Sequence, residues 1–440
     1  MTNPIPCTVY QSRQLREEYR KYRHPSGLDI YVFPKKMTAT YALFGTKYGS
    51  IHNRFRMEDE ADWVNVPDGI AHFLEHKLFT CEDGSDAFER FSDYGADANA
   101  YTSFNKTCYL FSCTDRFEDS LGELLDFVTH PYFTPESVAA ELGIIGEEIR
   151  MYDDNPSDRC FYGMLEAMYE HHSIRRNICG SVQSISKITA DLLYRCYHTF
   201  YRLSNMALVV CGDVTDEAVL RIADQYLPQQ AEQKNVLCVN ENDAEPADVF
   251  QAYREQRMQV SKPLFNIGFK DTDIPTNGQA RQRKDAAMAI LNEMLFSRAG
   301  KLYNTLIEKE LMSPSFSYGY SISESTAYNS LAGEADDPKA VLEEILHYLS
   351  KVSEEGLSRE DFLRGKRVMY AEFVKSFDST DSIANNLFSF ICEDSELLSY
   401  AEILEQITFE EVCELMKTAF RQNVTCLSVI LPLEGSTNQQ

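Results

Sequence analysis

The chain has 440 residues, 44% of them hydrophobic and 25% charged, a globular composition that excludes disorder, collagen and a small disulfide scaffold. Lys and Arg number 42 against 68 Asp and Glu, a formal charge of −26. A surface that acidic repels phosphate backbones and anionic lipid, so no nucleic acid and no membrane partner is expected.

The N-terminal stretch up to Gly27 has no apolar core of signal-peptide type. No later stretch approaches the run of about 18 apolar residues that a membrane helix needs. A cytoplasmic chain is therefore expected. Its 12 cysteines contain no C-x-x-C pair, and Cys211 and Cys426 sit inside apolar strand patterns. They are expected to be mostly buried thiols in a reducing compartment.

In chain order, GLDIYVFP and TATYALFGTKYGS read as consecutive strands by their β-branched and aromatic alternation. Helices are predicted over His72–Leu78, Ser85–Tyr94, Phe117–Thr129 and Pro135–Tyr152, the last opened by Thr134. NAYTS, from Asn99, reads as a strand between the second and third of these. Asn also favours turns, so a turn after Gly95 is the alternative to the strand for Asn99. Further on, ITADLLYRCYHTFYR from Ile188 is a helix running into the strand MALVVCGDV.

That last unit recurs. ITFEEVCELMKTAFR, 219 residues later, runs into VTCLSVILP, and the segment from Phe133 has a counterpart 224 residues on, from Leu357. Two matches in one order at nearly one offset indicate an internal duplication. The expected organisation is a metal-bearing half over 1–227, a polar linker over 228–249 and a repeat half over 250–440. The expected fold class is α+β: two homologous halves in a clam-like arrangement, each an antiparallel-rich sheet with helices on one face.

The chemistry concentrates in DGIAHFLEHKLF. On a helix His72 and His76 share a face one turn apart, able to bind one cation and leave a coordination position open. Glu75 reaches the same side and can hold a water there; the order is H-x-x-E-H. The flanking Ile70, Phe73, Leu74 and Leu78 argue against an ordinary solvated helix. A third ligand must come from elsewhere, and AAELGIIGEEIRMYDD offers Glu141, Glu147 and Glu148. Glu141 and Glu148 lie two turns apart on a face shared with Ile144 and Ile145, which is expected to point inward. Glu147 falls off it. Glu148 is thus the expected third ligand, with Glu141 orienting a histidine or substrate.

The segments GIAHFLEHKLF, YGADANAYTSFNKTCYLF, LLDFVTHPYF and E-x6-E before IRMYDDNP resemble, in order and spacing, the pitrilysin/insulinase (inverzincin) zinc peptidases, most closely bacterial insulinase-like subunits. The resemblance implies one zinc ion per chain on His72, His76 and Glu148, Glu75 as general base and Glu141 as assisting glutamate. It also implies that Asn99, Ala100 and Tyr101 lie along an extended peptide substrate, which suits a strand with free backbone groups.

The repeat half departs from that pattern. AILNEMLFS places Ala289, Asn292 and Glu293 where the motif would fall. Ile307 and Pro314 stand where the family carries an Arg and a Tyr that help hold substrate. A chain with the whole metal site and without that pair resembles the metal-bearing member of a two-subunit enzyme. A heterodimer with a related chain lacking the zinc motif is therefore expected, a homodimer being the other possibility. The expected activity is cleavage of small flexible peptides by metal-activated water. The alternatives are a non-catalytic structural subunit and a non-peptidase hydrolase or metal scaffold.

Overall fold

The computed structural model describes residues 5–231, 237–239 and 244–434. The expected linker over 228–249 thus includes two stretches, 232–236 and 240–243, that lie outside the described residues.

The first half runs through strands β1 (Cys7–Ser12), β2 (Glu17–Arg23), β3 (Asp29–Pro34), β4 (Thr40–Thr46), β5 (Arg54–Met57) and β6 (Val64–Asn65). Helices α1 (Ile70–Leu78) and α2 (Ala87–Tyr94) lead to β7 (Asp97–Thr102) and β8 (Thr107–Cys113). Then come α3 (Phe117–Thr129), α4 (Pro135–Asp153), α5 (Pro156–Met168), α6 (Val182–Ile185), α7 (Ala190–Phe200), β9 (Met206–Gly212) and α8 (Asp216–Tyr226). After β10 (Leu237–Val239), the second half holds β11 (Tyr253–Met258), β12 (Leu264–Asp271), α9 (Gly278–Phe296), α10 (Lys301–Glu308), β13 (Ser317–Ile322) and β14 (Ala327–Glu334). It closes with α11 (Pro338–Glu355), α12 (Arg359–Lys375), α13 (Thr380–Cys392), α14 (Ser399–Gln406), α15 (Phe409–Ala419) and β15 (Thr425–Pro432).

Five strands of the first sheet, β3-β9-β4-β8-β7, recur in the second, and the β1-β2 hairpin is an addition to the first. The first has order β1-β2-β3-β9-β4-β8-β7 and the second β11-β15-β12-β14-β13. Each is antiparallel except for one parallel pair, β3 with β9 and β11 with β15. A small third sheet joins β10, β5 and β6. Helix starts follow the duplicated sequence signals. Thr134 and Ser358 cap α4 and α12, and Thr189 and Thr408 cap α7 and α15, each accepting a backbone N–H of the first turn. The expected α+β class with two homologous halves describes this architecture.

Strand alternation divides each sheet between two cores. Ala42 and Phe44 of β4 face α1, α3 and α7, whereas Tyr41 and Leu43 face the opposite way, toward α13 of the second half. In β12, Phe265, Ile267 and Phe269 face α9, while the other face of the second sheet meets α5 of the first half. The halves thus exchange one helix each. The seats are glycines 223 residues apart, Gly45 and Gly268. A Cβ on Gly45 would lie 2.2 Å from the Phe388 ring, and one on Gly268 would lie 2.4 Å from Met168. Only glycine lets the borrowed helix approach so closely. Burying Phe388, which is 1% exposed, contributes on the order of 2–3 kcal/mol to this union.

A polar clamp adds to the seam. The Glu245 carboxylate accepts the backbone N–H groups of Glu170, His171 and His172, each at 2.9 Å, and the Lys270 ammonium at 2.8 Å. Burial opposes ionisation of Glu245, but Lys270 and the three N–H donors outweigh it and hold the carboxyl at about 2.

Candidate metal centre

α1 begins against Gly69, whose φ of 91° is left-handed. A Cβ there would lie 2.4 Å from the Cys179 carbonyl oxygen, so glycine is required twice over. From this start Phe73, Leu74 and Leu78 are buried in the first core, which turns His72, Glu75 and His76 toward a cavity of about 570 Å³. Asn99, Ala100, Tyr101, Glu141 and Glu148 also line it.

The two imidazole rings are 4.6 Å apart, centroid to centroid. Across from them, Glu148 of α4 puts Oε1 3.6 Å from His72 Nε2 and Oε2 3.3 Å from His76 Nε2. These spacings are long for hydrogen bonds. They suit ligands of one ion, since atoms about 2.1 Å from a tetrahedral zinc stand about 3.4 Å apart. His76 Nδ1 pairs with Glu141 Oε1 at 3.2 Å, the arrangement that fixes a metal-binding ring from behind. His72 is 7% exposed, and its Nδ1 finds no partner among the described residues. Glu75 is buried, and its Oε2 accepts the Thr102 hydroxyl at 2.6 Å.

The electrostatics ask for a cation. Burial alone would lower His76, but its pairing with the Glu141 and Glu148 carboxylates and the nearby Glu75 raise it to about 10. The closeness of His72 and His76 holds Glu148 far below the carboxylate range. Burial raises Glu141, yet His76 and the Lys77 ammonium bring it below its ordinary value. Burial pushes Glu75 up. Three carboxylates converging on two imidazoles bind a proton strongly here, and the nitrogen and oxygen donor set fits a divalent ion such as zinc in its place.

The sequence-predicted residues His72, Glu75, His76, Glu141 and Glu148 thus come together. Glu147 is solvated and pairs with Arg150. One expectation is corrected: Ile144 does not point into the core but is 60% exposed, forming part of the cavity wall, while Ile145 is fully buried. A hundred degrees of rotation between neighbours separates the two, so they cannot share an inward face. Asn99 is in β7 rather than a turn, with its side chain accepting the Ala100 N–H. Among the described residues β7 pairs only with β8, and its other edge is free beside the cavity. The Tyr101 hydroxyl turns away, donating to Asn385 of α13. In the repeat half, Ile307 packs against the core from α10. Tyr318 and Tyr320 bond to Glu293 and Asp271.

Sequence reasoning passed over three groups. Thr102 directly follows the NAY segment and its proximity to Glu75 depends on β7 crossing α1. Lys77 lies within the motif, buried behind Glu141 at 3.6 Å. Cys179 belongs to a loop with no recognisable pattern, and its Sγ lies 3.9 Å from His72 Nε2.

Residues 65–181 match the model of the insulinase family, peptidase family M16, and residues 187–369 match the one described as the peptidase M16 inactive domain. An uncharacterized zinc protease of Bacillus subtilis (strain 168), YmfH, is 40% identical over 400 residues, 91% of this chain and 93% of its own. The chain belongs to the insulinase (M16) family. Among M16 relatives, an uncharacterized zinc protease of Rickettsia felis (strain ATCC VR-1525 / URRWXCal2) is 23% identical over 95% of this chain and 98% of its own. The crystal structure of an M16-like peptidase from Alicyclobacillus acidocaldarius superimposes with a TM-score of 0.89 at 30% identity, covering 98% of this chain and all of that one. The M16 match contains every candidate ligand, from His72 to Glu148.

Proposed function

We propose that this M16 chain is a zinc-dependent endopeptidase for small flexible peptides and the metal-bearing subunit of a heterodimer. The observation that carries the first part is the convergence of His72, His76 and Glu148 on one point, with Glu75 buried beside it. Held by those three residues, zinc would supply the Lewis acidity that makes water a nucleophile at neutral pH. The free edge of β7 offers backbone groups to an extended peptide across the cavity. Glu75, its carboxyl raised by burial and oriented by Thr102, takes the proton of the attacking water and returns it to the leaving nitrogen. Glu141 keeps the His76 ring in place. No serine or cysteine nucleophile is needed.

The heterodimer rests on the repeat half. Ala289, Asn292 and Glu293 replace the motif there, and neither Ile307 nor Pro314 can donate to substrate. A complete ligand set argues against a purely structural subunit. Among the described residues no helix is long and apolar enough to cross a membrane, which agrees with a substrate met in water.

The test is cleavage of a short-peptide pool, read by mass spectrometry, by the zinc-loaded chain alone and mixed with a related chain lacking H-x-x-E-H. Cleavage that appears or rises sharply in the mixture is expected. Full activity of the lone chain removes the heterodimer, and no cleavage in either arm removes the peptidase.

A further inference from the structure

The loop that carries Cys179 is locked against the start of α1. Gly69 and Gly180 both have left-handed backbones, with φ of 91° and 74°. A Cβ on Gly69 would strike the Cys179 carbonyl oxygen, and one on Gly180 would strike the Asp68 carbonyl oxygen, each at 2.4 Å. Asn177 Oδ1 accepts the Cys179 N–H at 2.9 Å, and the Asn177 carbonyl accepts that of Gly180 at 2.9 Å. The two backbones therefore interlock, which holds the thiol beside His72.

Its surroundings are those of a ligand. Cys179 is free of any disulfide and 5% exposed, on the wall of the cavity that holds His72, Glu75, His76 and Glu148. Its Sγ, a His72 nitrogen and a Glu148 oxygen all lie within 4.8 Å of one another, a group of three that His76 adjoins through Glu148. His72 is itself more than nine-tenths buried and presents Nε2 to the sulfur at 3.9 Å. Sulfur at about 2.3 Å and nitrogen at about 2.1 Å from a tetrahedral zinc stand about 3.6 Å apart, close to the spacing found.

We propose that Cys179 is a fourth ligand: in the peptide-free enzyme its sulfur, rather than water, closes the coordination sphere set by His72, His76 and Glu148. This rests on the zinc reading given above. The thiol proton leaves to solvent as the sulfur–metal bond forms. The consequence is a latent resting state. A two-histidine, one-carboxylate, one-thiolate set is closed, as structural zinc sites are, and must open before water can be activated. Sulfur also biases the site toward zinc and cadmium over manganese and magnesium.

The test uses the full chain loaded with cobalt(II), whose spectrum reports its ligands. Wild type is expected to show a sulfur-to-cobalt charge-transfer band in the near ultraviolet, lost on adding excess peptide and absent from Cys179→Ser. Both proteins should keep the visible bands of four-coordinate cobalt. Cys179→Ser is expected to weaken zinc by at least about 10-fold while raising the initial cleavage rate. Four-coordinate cobalt in wild type without the sulfur band overturns the proposal and leaves His72, His76 and Glu148 standing. A wild type that takes up neither cobalt nor zinc overturns the zinc reading and this proposal with it. Should Cys179→Ser fail to fold, the wild-type band and its response to peptide decide alone.

Discussion

α1 and α9 occupy the same place in the two halves, each packed against its sheet and against a long partner helix, α4 or α12. In α1 the inward turn carries His72, Glu75 and His76; in α9 it carries Ala289, Asn292 and Glu293. Glu75 takes its hydrogen bond from Thr102 of the sheet, and Asn292 instead donates one to Asn329 of β14 at 2.8 Å. Glu148 faces two imidazoles, while Glu372, 224 residues later, is exposed. The same packing thus handles buried polarity in two ways. An amide pair is neutral, so it makes its one bond and leaves Asn292 Oδ1 and Asn329 Nδ2 buried without calling for an ion. A carboxylate with two histidines is charged and is settled only by a bound ion or proton.

The sharpest way to separate the halves is at Glu75. Glu75→Gln is expected to reduce peptide cleavage by about 100- to 10,000-fold with zinc content unchanged, measured by peptide assay and elemental analysis. His76→Ala should lose the metal as well. Zinc lost from Glu75→Gln, or cleavage kept, would break the assignment of roles.

Acid should loosen the protein around the seam. Burial lowers His52 and His172 from 6.5 to about 4, and both Nδ1 atoms accept a backbone N–H, which only the neutral ring can do. Below about 6.5 the unfolded chain takes protons that the folded one refuses. Stability is therefore full above that pH and falls by a few kcal/mol as pH drops toward 4. Denaturant titrations across this window should show the slope, flattened in His52→Gln; an unchanged slope in that variant removes His52 as a cause.

The exchanged helices offer a matched pair. Gly45→Ala drives a methyl into the rigid Phe388 ring and should cost about 1–3 kcal/mol. Gly268→Ala meets Met164 and Met168, whose flexible chains can bend away, and should cost less. Thermal unfolding of both variants checks the order. The smallest effect is expected at Glu293→Ala, which removes the Tyr318 bond for about 1 kcal/mol and leaves bound zinc unchanged.

Much of this was legible in the sequence because it is written in local spacing. The H-x-x-E-H helix, the E-x6-E helix and the Thr-capped repeats need only the period of a helix and its caps. What the sequence did not display depends on distant segments meeting. The exchange of α5 and α13 leaves only two strand glycines as a trace, and a glycine in a strand says that something comes close, not what. Thr102 and Cys179 join the site through a strand and a loop whose paths no periodicity encodes. Hydrophobic character alone does not orient α4, because the cavity wall also takes apolar residues such as Ile144.

The crossed helices limit how the cavity can be reached. A hinge between the halves would have to pull α5 off β12 and α13 off β4, baring Phe388, Met164 and Met168 to water. So large an apolar penalty makes a gaping motion between the halves untenable, and the way into the cavity must lie at its outer rim.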